Sequence, residues 1–167
     1  MPDASALERT LYVFRHGEAA PGTADLDDEF RPLTDKGRGD VARFGAILGR
    51  TPPTIVWCSP ATRTRETLAG LTASTAPIAF PTVFEARIYE ASLDALLDVL
   101  AETPPETRVA ALVGHNPGVS DLVRTLLAAG TKGLGPITPG TLVVLRTAAR
   151  WDALAPKSCT LALYDSP

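Results

Sequence analysis

The two histidines of this chain each stand where an apolar segment gives way to turn residues. His16 follows Leu-Tyr-Val-Phe-Arg, and His115 follows Val-Ala-Ala-Leu-Val-Gly. Such apolar runs are typical of buried strands in an α/β sheet, and ligands bind at the carboxyl ends of those strands. A lone histidine there is more often a core or surface residue, but here both histidines share the position. We therefore expect the two imidazoles to meet at one active-site edge, where a neutral ring nitrogen can act as a nucleophile.

Two arginines accompany the histidines. Arg15 directly precedes His16, and Arg63 falls in the first turn of a helix that residues 59–60 (Ser-Pro) are predicted to begin. A second helix start is predicted at residues 116–117 (Asn-Pro), so that free amide groups of two helix N-termini would face the pocket. These donors outnumber what the two oxygens of a carboxylate can use, which favours phosphate. Clustered arginines would also lower the pKa of His16 and keep it able to attack phosphorus at neutral pH.

A metal site is the weaker interpretation of the same residues, since two histidines without a third ligand at standard spacing make a poor zinc site. One acidic run lies between the motifs: Asp25, Asp27, Asp28 and Glu29. It lacks the spacing of a calcium-binding loop, and we expect it to be a solvated loop face. Cys58 and Cys159 have no CxxC spacing, so we expect buried, reduced thiols. The sequence therefore predicts neither a metal nor a cofactor.

Composition limits the possible functions. The 167 residues are 45% hydrophobic, and we predict a single domain over residues 1–167. The net charge of −3 provides no general basic field for nucleic acid or an anionic membrane, so neither is expected as a partner. Residues 1–6 lack a basic stretch followed by an apolar core, so we expect no secretory signal. No apolar run approaches membrane-spanning length, and a cytoplasmic location is expected.

Strand-like and helix-like segments alternate along the chain, which predicts an α/β fold with a mostly parallel sheet and helices on both faces. The predicted strands are 11–15, 54–58, a weaker one within 77–83, 108–114, 141–146 and 158–164. Helices are predicted to begin after Thr34, at residues 59–60, at Ser92 and at residues 116–117, the last ending near Gly130. No clear helix separates the last two strands, so we expect an antiparallel hairpin at one edge. The irregular segment 18–33 is long for a connection and indicates a functional loop.

Four sequence blocks resemble the histidine phosphatase superfamily, also called the phosphoglycerate mutase-like family. They are Leu-Tyr-Val-Phe-Arg-His-Gly-Glu at 11–18, Arg-Pro-Leu-Thr-Asp-Lys-Gly at 31–37, Cys-Ser-Pro-Ala-Thr-Arg-Thr-Arg-Glu-Thr at 58–67 and Val-Gly-His-Asn-Pro-Gly at 113–118. The resemblance is to the short SixA-type phosphohistidine phosphatases in particular. It spans nearly the whole chain in the right order, and the four blocks together are far more specific than Arg-His-Gly alone.

The resemblance implies a fold and a set of site residues. The family's fold is a three-layer α/β/α sandwich, which agrees with the alternation of segments. By resemblance, His16 is the nucleophile that becomes transiently phosphorylated, while Arg15, Arg63 and His115 hold the phosphoryl group. We also count Asn116, at the predicted helix start, among the phosphate-binding residues.

The proton donor is a separate question. Larger family members use a carboxylic acid after the third strand, and Glu85 is the best positional match, with Glu90 as the second choice. SixA-type members vary here. An ester oxygen needs a proton to leave, whereas imidazole, with a reference pKa of about 6.5, departs readily. Glu85 is therefore either the donor or a surface carboxylate at a strand end. Arg31 either reaches the pocket mouth or pairs with its acidic neighbours.

These observations predict a metal-independent phosphatase that works through a phosphohistidine intermediate, with phosphohistidine in proteins as the leading substrate. A phosphatase or mutase of a small phosphorylated metabolite is the first alternative, although the short chain leaves little sequence to wall in such a substrate. A non-catalytic phosphate- or phosphopeptide-binding module is the second. The joint presence of Arg15, His16, Arg63 and His115 argues against it.

Overall fold

A computed structural model describes residues 7–167, so the expectation that residues 1–6 carry no secretory signal lies outside the described residues. Within this range the strands are β1 (Arg9–Arg15), β2 (Ile55–Cys58), β3 (Thr82–Phe84), β4 (Val109–Gly114), β5 (Leu142–Thr147) and β6 (Thr160–Asp165). The α-helices are α1 (Asp35–Ala42), α2 (Gly45–Arg50), α3 (Thr62–Ser74), α4 (Leu93–Ala101) and α5 (Gly118–Leu126). Short 3-10 turns cover Asp28–Phe30, Ala86–Ile88 and Trp151–Ala153.

The strands form one six-stranded sheet in the order β3-β2-β4-β1-β5-β6. β1, β2, β3 and β4 run parallel, whereas β5 is antiparallel to both β1 and β6. This confirms the predicted parallel sheet with an antiparallel hairpin at one edge. β3 forms the other edge directly after Pro81, where the missing N–H of a proline is tolerated.

Two apolar cores lie on opposite faces of the sheet. Leu11 and Val13 of β1 belong to one cluster, together with buried residues of α4 and α5. Tyr12 and Phe14, the alternate residues of the same strand, belong to the other, together with residues of α2 and α3. Since side chains alternate between the faces of a strand, β1 contributes to both cores. The fold is the predicted three-layer α/β/α sandwich.

The helix predicted after Thr34 is in fact two helices. Thr34 caps α1 as predicted, since its Oγ1 accepts a hydrogen bond from the backbone N–H of Gly37 at 3.0 Å. α1 ends near Phe44, where the backbone N–H groups of Phe44 and Ile47 each bond the carbonyl three residues earlier. Gly45 then begins α2. At this position α2 lies so close to α3 that a Cβ would clash with Ser74. The start of the helix was predicted correctly, but the break was not.

The carboxyl ends of three adjacent strands meet at one edge of the sheet. Arg15 at the end of β1 pairs in register with Gly114 of β4, and Cys58 of β2 pairs with Val113. The residues that follow these strands, His16, Ser59 and His115, are therefore neighbours.

None of the helices within residues 7–167 combines the length and apolar character that a bilayer crossing requires.

Candidate active site

His16 is buried directly after β1, with 7% of its surface exposed. Its backbone N–H donates to Gly114 O at 3.1 Å, which ties it to β4. The ring atom Nδ1 lies 2.7 Å from Gly17 O. A carbonyl oxygen can only accept a hydrogen bond, so Nδ1 carries the proton and Nε2 keeps its lone pair. Nε2 is thus the nitrogen free to act as a nucleophile.

Burial is the main reason that the pKa of His16 is lowered to about 4, and the charges of Arg63 and Arg15 act in the same direction. The sequence predicted the direction of this shift but assigned it to the arginines alone. At neutral pH the ring is therefore uncharged. An uncharged ring keeps the Nε2 lone pair available to an electrophile.

His115 faces His16 with 5.2 Å between the ring centroids. Burial, followed by the proximity of His16, lowers the pKa of His115 to about 3. Its Nε2 lies 2.8 Å from Ser59 Oγ, while Nδ1 is buried without a hydrogen-bond partner. In the tautomer with Nδ1 protonated, Ser59 donates to Nε2 and the Nδ1–H is left to donate to a bound anion.

Ser59 was predicted to cap a helix starting at Pro60, and that prediction was wrong. α3 begins at Thr62, and its N-cap residue, Ala61, makes no side-chain capping bond. The Ser59 hydroxyl accepts only a long bond from the backbone N–H of Ala61, at 3.4 Å, and contacts His115 at 2.8 Å, because the residues after β2 and β4 meet at the same sheet edge. Arg63 still falls in the first turn of α3, as predicted.

The chain has two histidines, so their Hε1 protons give two NMR signals that can be assigned by comparison with His115→Gln. Because both pKa values are lowered, each ring stays neutral as the pH falls and takes up its proton late. We expect neither signal to titrate between about pH 5 and pH 8. Midpoints of about 4 for His16 and about 3 for His115 are expected. A midpoint near the ordinary value of 6.5 for either ring would contradict this electrostatic description.

Arg63 is 5% exposed and points the end of its guanidinium at Asp28. Nη1 donates to the backbone O of Asp28 at 2.7 Å, and Nη2 donates to Asp28 Oδ2 at 2.9 Å. The edge of the guanidinium that carries Nε is free, since Nε is buried without a hydrogen-bond partner. Guanidinium groups bind oxyanions through such paired donors. The free edge can therefore hold a phosphoryl group while Asp28 keeps the other edge.

Arg15 is held by the chain before β5. Its Nη1 donates to Ile137 O at 2.9 Å, and its Nε is buried without a partner. Asn116 Nδ2 donates to the same carbonyl oxygen at 2.9 Å, while its Oδ1 accepts from the N–H and hydroxyl of Ser120. Asn116 thus supports the segment that positions Arg15. Its direct contact with phosphate stays a prediction.

Unpartnered donors are concentrated at this site. Within the described residues, the buried side-chain polar atoms without a hydrogen-bond partner are Arg9 Nε, Arg15 Nε, Arg63 Nε and His115 Nδ1. Three of the four belong to the site. A buried polar group left without a partner costs about 1–3 kcal/mol, so an anion that accepts from these atoms would relieve that cost. The arrangement is therefore suited to an oxyanion.

Asp28 and Tyr89 belong to the site, although the sequence did not indicate them. Asp28 was predicted to lie on a solvated loop face, and its side chain is half exposed, but it also bonds Arg63, Arg31 and Tyr89, which was not predicted. The Tyr89 ring also lies edge-on to His115, with 5.5 Å between centroids. One available signal was overlooked: Tyr89 follows the end of β3, a neighbour of β2 in the parallel sheet.

Metal ligands do not gather here. Nowhere in residues 7–167 do three or more His, Cys, Asp or Glu side chains cluster so as to hold a metal ion. Cys58 and Cys159 are buried and free, as predicted. Burial raises the pKa of the Cys58 thiol to about 12, so it is not a reactive thiolate.

A sequence model of the histidine phosphatase superfamily (branch 1) matches residues 11–106, more than half of the chain. The protein belongs to this superfamily. The match includes the blocks around His16 and Arg63 and ends before His115, which the structure brings to the same site. The resemblance inferred from the sequence is confirmed.

Similar proteins agree with this membership. A candidate phosphohistidine phosphatase SixA from Nakamurella multipartitia has a structure with a TM-score of 0.82 at 29% identity, covering 96% of each chain. The protein histidine phosphatase SixA complexed with tungstate has a TM-score of 0.76 at 20% identity, covering 95% of this chain and 97% of its own, and its likeness concerns the fold. An uncharacterized protein of Mycobacterium tuberculosis (strain ATCC 25618 / H37Rv) is 29% identical over 166 residues, 92% of this chain and 99% of its own.

In this histidine phosphatase superfamily member the Glu85 carboxylate is bound to Arg87. Oε1 accepts from the backbone N–H of Arg87 and Oε2 from its Nη2, both at 2.9 Å. These bonds lower the pKa of Glu85 to about 2, so at neutral pH it holds no proton to donate. Glu85 as proton donor stays a prediction, and the free protein does not favour it. Glu90, the second choice, follows Tyr89 with a left-handed backbone (φ 51°).

We expect Glu85→Gln to change kcat/KM for an alkyl phosphate ester by less than about tenfold, because general acid catalysis requires a protonated group. Glu102→Gln is the matched control, since Glu102 is the other carboxylate paired with Arg87. Comparing the two variants separates loss of a catalytic acid from loss of an ion pair. A fall of about 10² to 10⁴ in Glu85→Gln alone, the usual contribution of a general acid, would restore Glu85 as the donor.

Proposed function

We propose that this protein is a metal-independent phosphatase that transfers a phosphoryl group to His16 Nε2 and then to water, and that its substrate is phosphohistidine in proteins. One observation carries the proposal. A neutral His16, with Nδ1 bound to Gly17 O and Nε2 free, lies among unpartnered donors of Arg15, Arg63 and His115. This combination provides a nucleophile together with donors for the oxygens of the group it attacks.

In the first step His16 Nε2 attacks phosphorus, and the bond from phosphorus to the leaving group breaks with its electron pair. Donors of Arg15 and Arg63 bind the phosphoryl oxygens, where negative charge must be stabilised. The phosphorylated ring keeps its Nδ1–H and becomes positively charged. Gly17 O, which already accepts from Nδ1, stabilises that charge.

In the second step water attacks the phosphorus of phospho-His16. The bond between phosphorus and Nε2 breaks, its electron pair returns to the ring, and one water proton leaves with the phosphate or to solvent. His16 is restored in its neutral form. The low pKa of His16 favours this form, so the enzyme is ready for another cycle at neutral pH.

Positive charge at the site comes from the protein itself. Arg15 and Arg63 supply two fixed guanidinium groups, and guanidinium donors can stabilise a transferring phosphoryl group. This supports a reaction that runs without a divalent ion.

Two considerations support phosphohistidine as the substrate. The candidate SixA structure from Nakamurella multipartitia is 29% identical over nearly the whole chain. In addition, the hydrogen bonds of Glu85, the candidate donor, and of Asp28, which bonds Arg63, lower the pKa values of both carboxyls, so that both are ionised at neutral pH. A leaving group that departs without an acid suits such a site, and imidazole, with a reference pKa of about 6.5, is one.

The substrate is tested by comparing kcat/KM for a phosphohistidine peptide, phosphoserine and phosphotyrosine peptides and a sugar phosphate, all in the presence of EDTA. We expect the phosphohistidine peptide to be the best substrate. Rapid quenching with labelled substrate should also trap phosphate on His16 in an acid-labile, alkali-stable bond. Efficient turnover of the sugar phosphate alone would overturn the substrate but keep the nucleophile. Binding of the phosphopeptides without turnover of any substrate would indicate a binding module.

A further inference from the structure

The Asp28 carboxylate connects the solvent-exposed side of the site with the buried Arg63. Its Oδ2 accepts from Arg63 Nη2 at 2.9 Å and from the Tyr89 hydroxyl at 2.7 Å, and its Oδ1 accepts from Arg31 Nε at 2.9 Å. The Asp28 side chain is 50% exposed, whereas His16 is almost completely buried. Asp28 therefore lies at the solvent side of the site. A leaving group that departs from a phosphoryl group bound near His16 must pass it.

The bonds of Asp28 do not block a phosphoryl group. A guanidinium has five N–H donors, and the Asp28 backbone and carboxylate oxygens take one each from Nη1 and Nη2 of Arg63. The donor of Nε is free, and Asp28 uses only one of the two hydrogens on each terminal nitrogen. Arg63 can thus hold Asp28 and an oxyanion together, on different edges. Asp28 stays in place as a neighbour of the reacting group.

Asp28 also stays negatively charged. The hydrogen bonds from Tyr89 and from Arg63 hold the pKa of its carboxyl well below its usual range. The charged groups around it are Arg31 and Arg63, which it bonds, and the exposed acids of its own segment and of the turn after Tyr89: Asp27, Glu29 and Glu90. The anion is therefore fixed in position rather than free in solvent.

We propose that Asp28 is a specificity-determining residue that favours a positively charged nitrogen leaving group, by accepting a hydrogen bond from the distal ring N–H of a protonated phosphoimidazole. The proposal rests on the phosphatase function proposed above. The contact uses the one acceptor position, on Oδ1, that Arg63, Tyr89 and Arg31 leave free, since an ionised carboxylate has about four acceptor positions.

Atoms and charges balance in this step without an acid from the protein. The substrate ring brings its own proton on the distal nitrogen. When the phosphorus–nitrogen bond breaks, its electron pair stays on the departing nitrogen, the new bond forms at His16 Nε2, and the leaving group is neutral imidazole. An alkoxide leaving from phosphoserine would instead develop negative charge near the Asp28 carboxylate. Like charges repel, so Asp28 favours the first substrate and disfavours the second.

The test is the ratio of kcat/KM for a phosphohistidine peptide to kcat/KM for p-nitrophenyl phosphate. Asp28→Asn keeps the shape of the side chain but removes the charge, and we expect the ratio to fall by about 10- to 100-fold, as for loss of a charge-assisted hydrogen bond. Asp27→Asn is the matched control, because Asp27 is the exposed neighbour whose side chain makes no capping bond. It should leave the ratio unchanged. Asp28→Glu, which keeps the charge, should retain a preference for phosphohistidine.

A purely structural role of Asp28 predicts a different outcome. If Asp28 only positioned Arg63, both substrates would lose rate equally, because Arg63 serves the phosphoryl group of each. An unchanged ratio in Asp28→Asn therefore overturns the proposal, whether the two rates fall together or do not change. Circular dichroism and thermal unfolding of each variant check that it is folded, and if Asp28→Asn is unfolded, Asp28→Ser, which also removes the charge, is measured in its place with the same expected fall of the ratio.

A second pair of probes isolates the hydrogen bond from the rest of the peptide. N-phosphoimidazole, whose protonated form donates a ring N–H, is compared with its N′-methylated form, which keeps the positive charge but has no ring N–H to donate. We expect Asp28→Asn to lower kcat/KM for N-phosphoimidazole by a larger factor than kcat/KM for the methylated form. Equal factors for the two probes overturn the proposal. Trapping of phosphate on His16 from p-nitrophenyl phosphate separates this failure from failure of the phosphatase function, because it does not depend on Asp28.

Discussion

His16→Ala is expected to lower kcat/KM for every phosphorylated substrate by on the order of 10⁴ or more, as removal of an enzymatic nucleophile does. His16 Nε2 is a neutral ring nitrogen, free of hydrogen bonds to the protein and surrounded by phosphate donors. His115 is not placed to replace it, because its Nε2 lone pair accepts from Ser59 when Nδ1 carries the ring proton. Steady-state kinetics with the aryl phosphate and the phosphohistidine peptide give the measurement.

Chemical rescue tests the role of His16 more directly. His16→Gly leaves a space that free imidazole can fill, and added imidazole should then accept the phosphoryl group and restore part of the rate. Phosphate affinity measured by calorimetry should persist in this variant, since Arg15, Arg63 and His115 remain. Activity equal to that of the unmodified protein without imidazole would show that another residue receives the phosphoryl group.

Arg63→Ala should give the second large effect, a loss of about 10³ to 10⁵ in kcat, the range measured when an arginine that stabilises phosphoryl transfer is absent. The guanidinium provides a free donor edge for the phosphoryl group and orders Asp28 through its other edge. Arg63→Lys should recover only a small part of the rate, because an ammonium group lacks the planar pair of donors.

Arg65→Ala is the matched control for Arg63→Ala. Arg65 lies two residues further along α3, is exposed, and contacts the Phe84 ring and Pro60 O rather than the histidines. We expect its kcat to stay within about threefold of the unmodified value, as for most surface substitutions. Equal losses in the two variants would mean that the effect comes from the helix and not from a phosphoryl contact.

Local patterns were sufficient to predict much of the fold. The runs before His16 and His115 are apolar because β1 and β4 are central strands covered on both faces, and such strands carry few polar residues. Thr34 and Ser92 cap their helices as predicted, since capping depends on residues within one turn. The last predicted helix ends at Leu126, before Gly130, where the carbonyls of Thr125 and Leu126 accept from the distant N–H groups of Lys157 and Cys159.

The parts of the site that were missed depend on contacts between distant residues. Asp28 bonds Arg63, 35 residues away, and Tyr89, 61 residues away. An acidic run in a polar loop has the same local composition whether it faces solvent or bonds a buried guanidinium. Ser59 illustrates the same limit, because its Ser-Pro pattern is typical of a helix start and only the neighbouring strand brings His115 to its hydroxyl. Sequence patterns predicted the candidate reacting groups but not the residues that bond them.

One backbone oxygen has an effect that a scan of side chains would overlook. Ile137 O accepts hydrogen bonds from both Arg15 and Asn116, whereas the Ile137 side chain is packed in the apolar core. Alanine at this position would keep the oxygen and lose only packing, so a mutational survey would class Ile137 as a stability residue. Replacing the peptide bond after it with an ester, which weakens the carbonyl as an acceptor, would instead loosen Arg15 while sparing the core. The boundary between scaffold and site therefore runs through this single residue, between its main chain and its side chain.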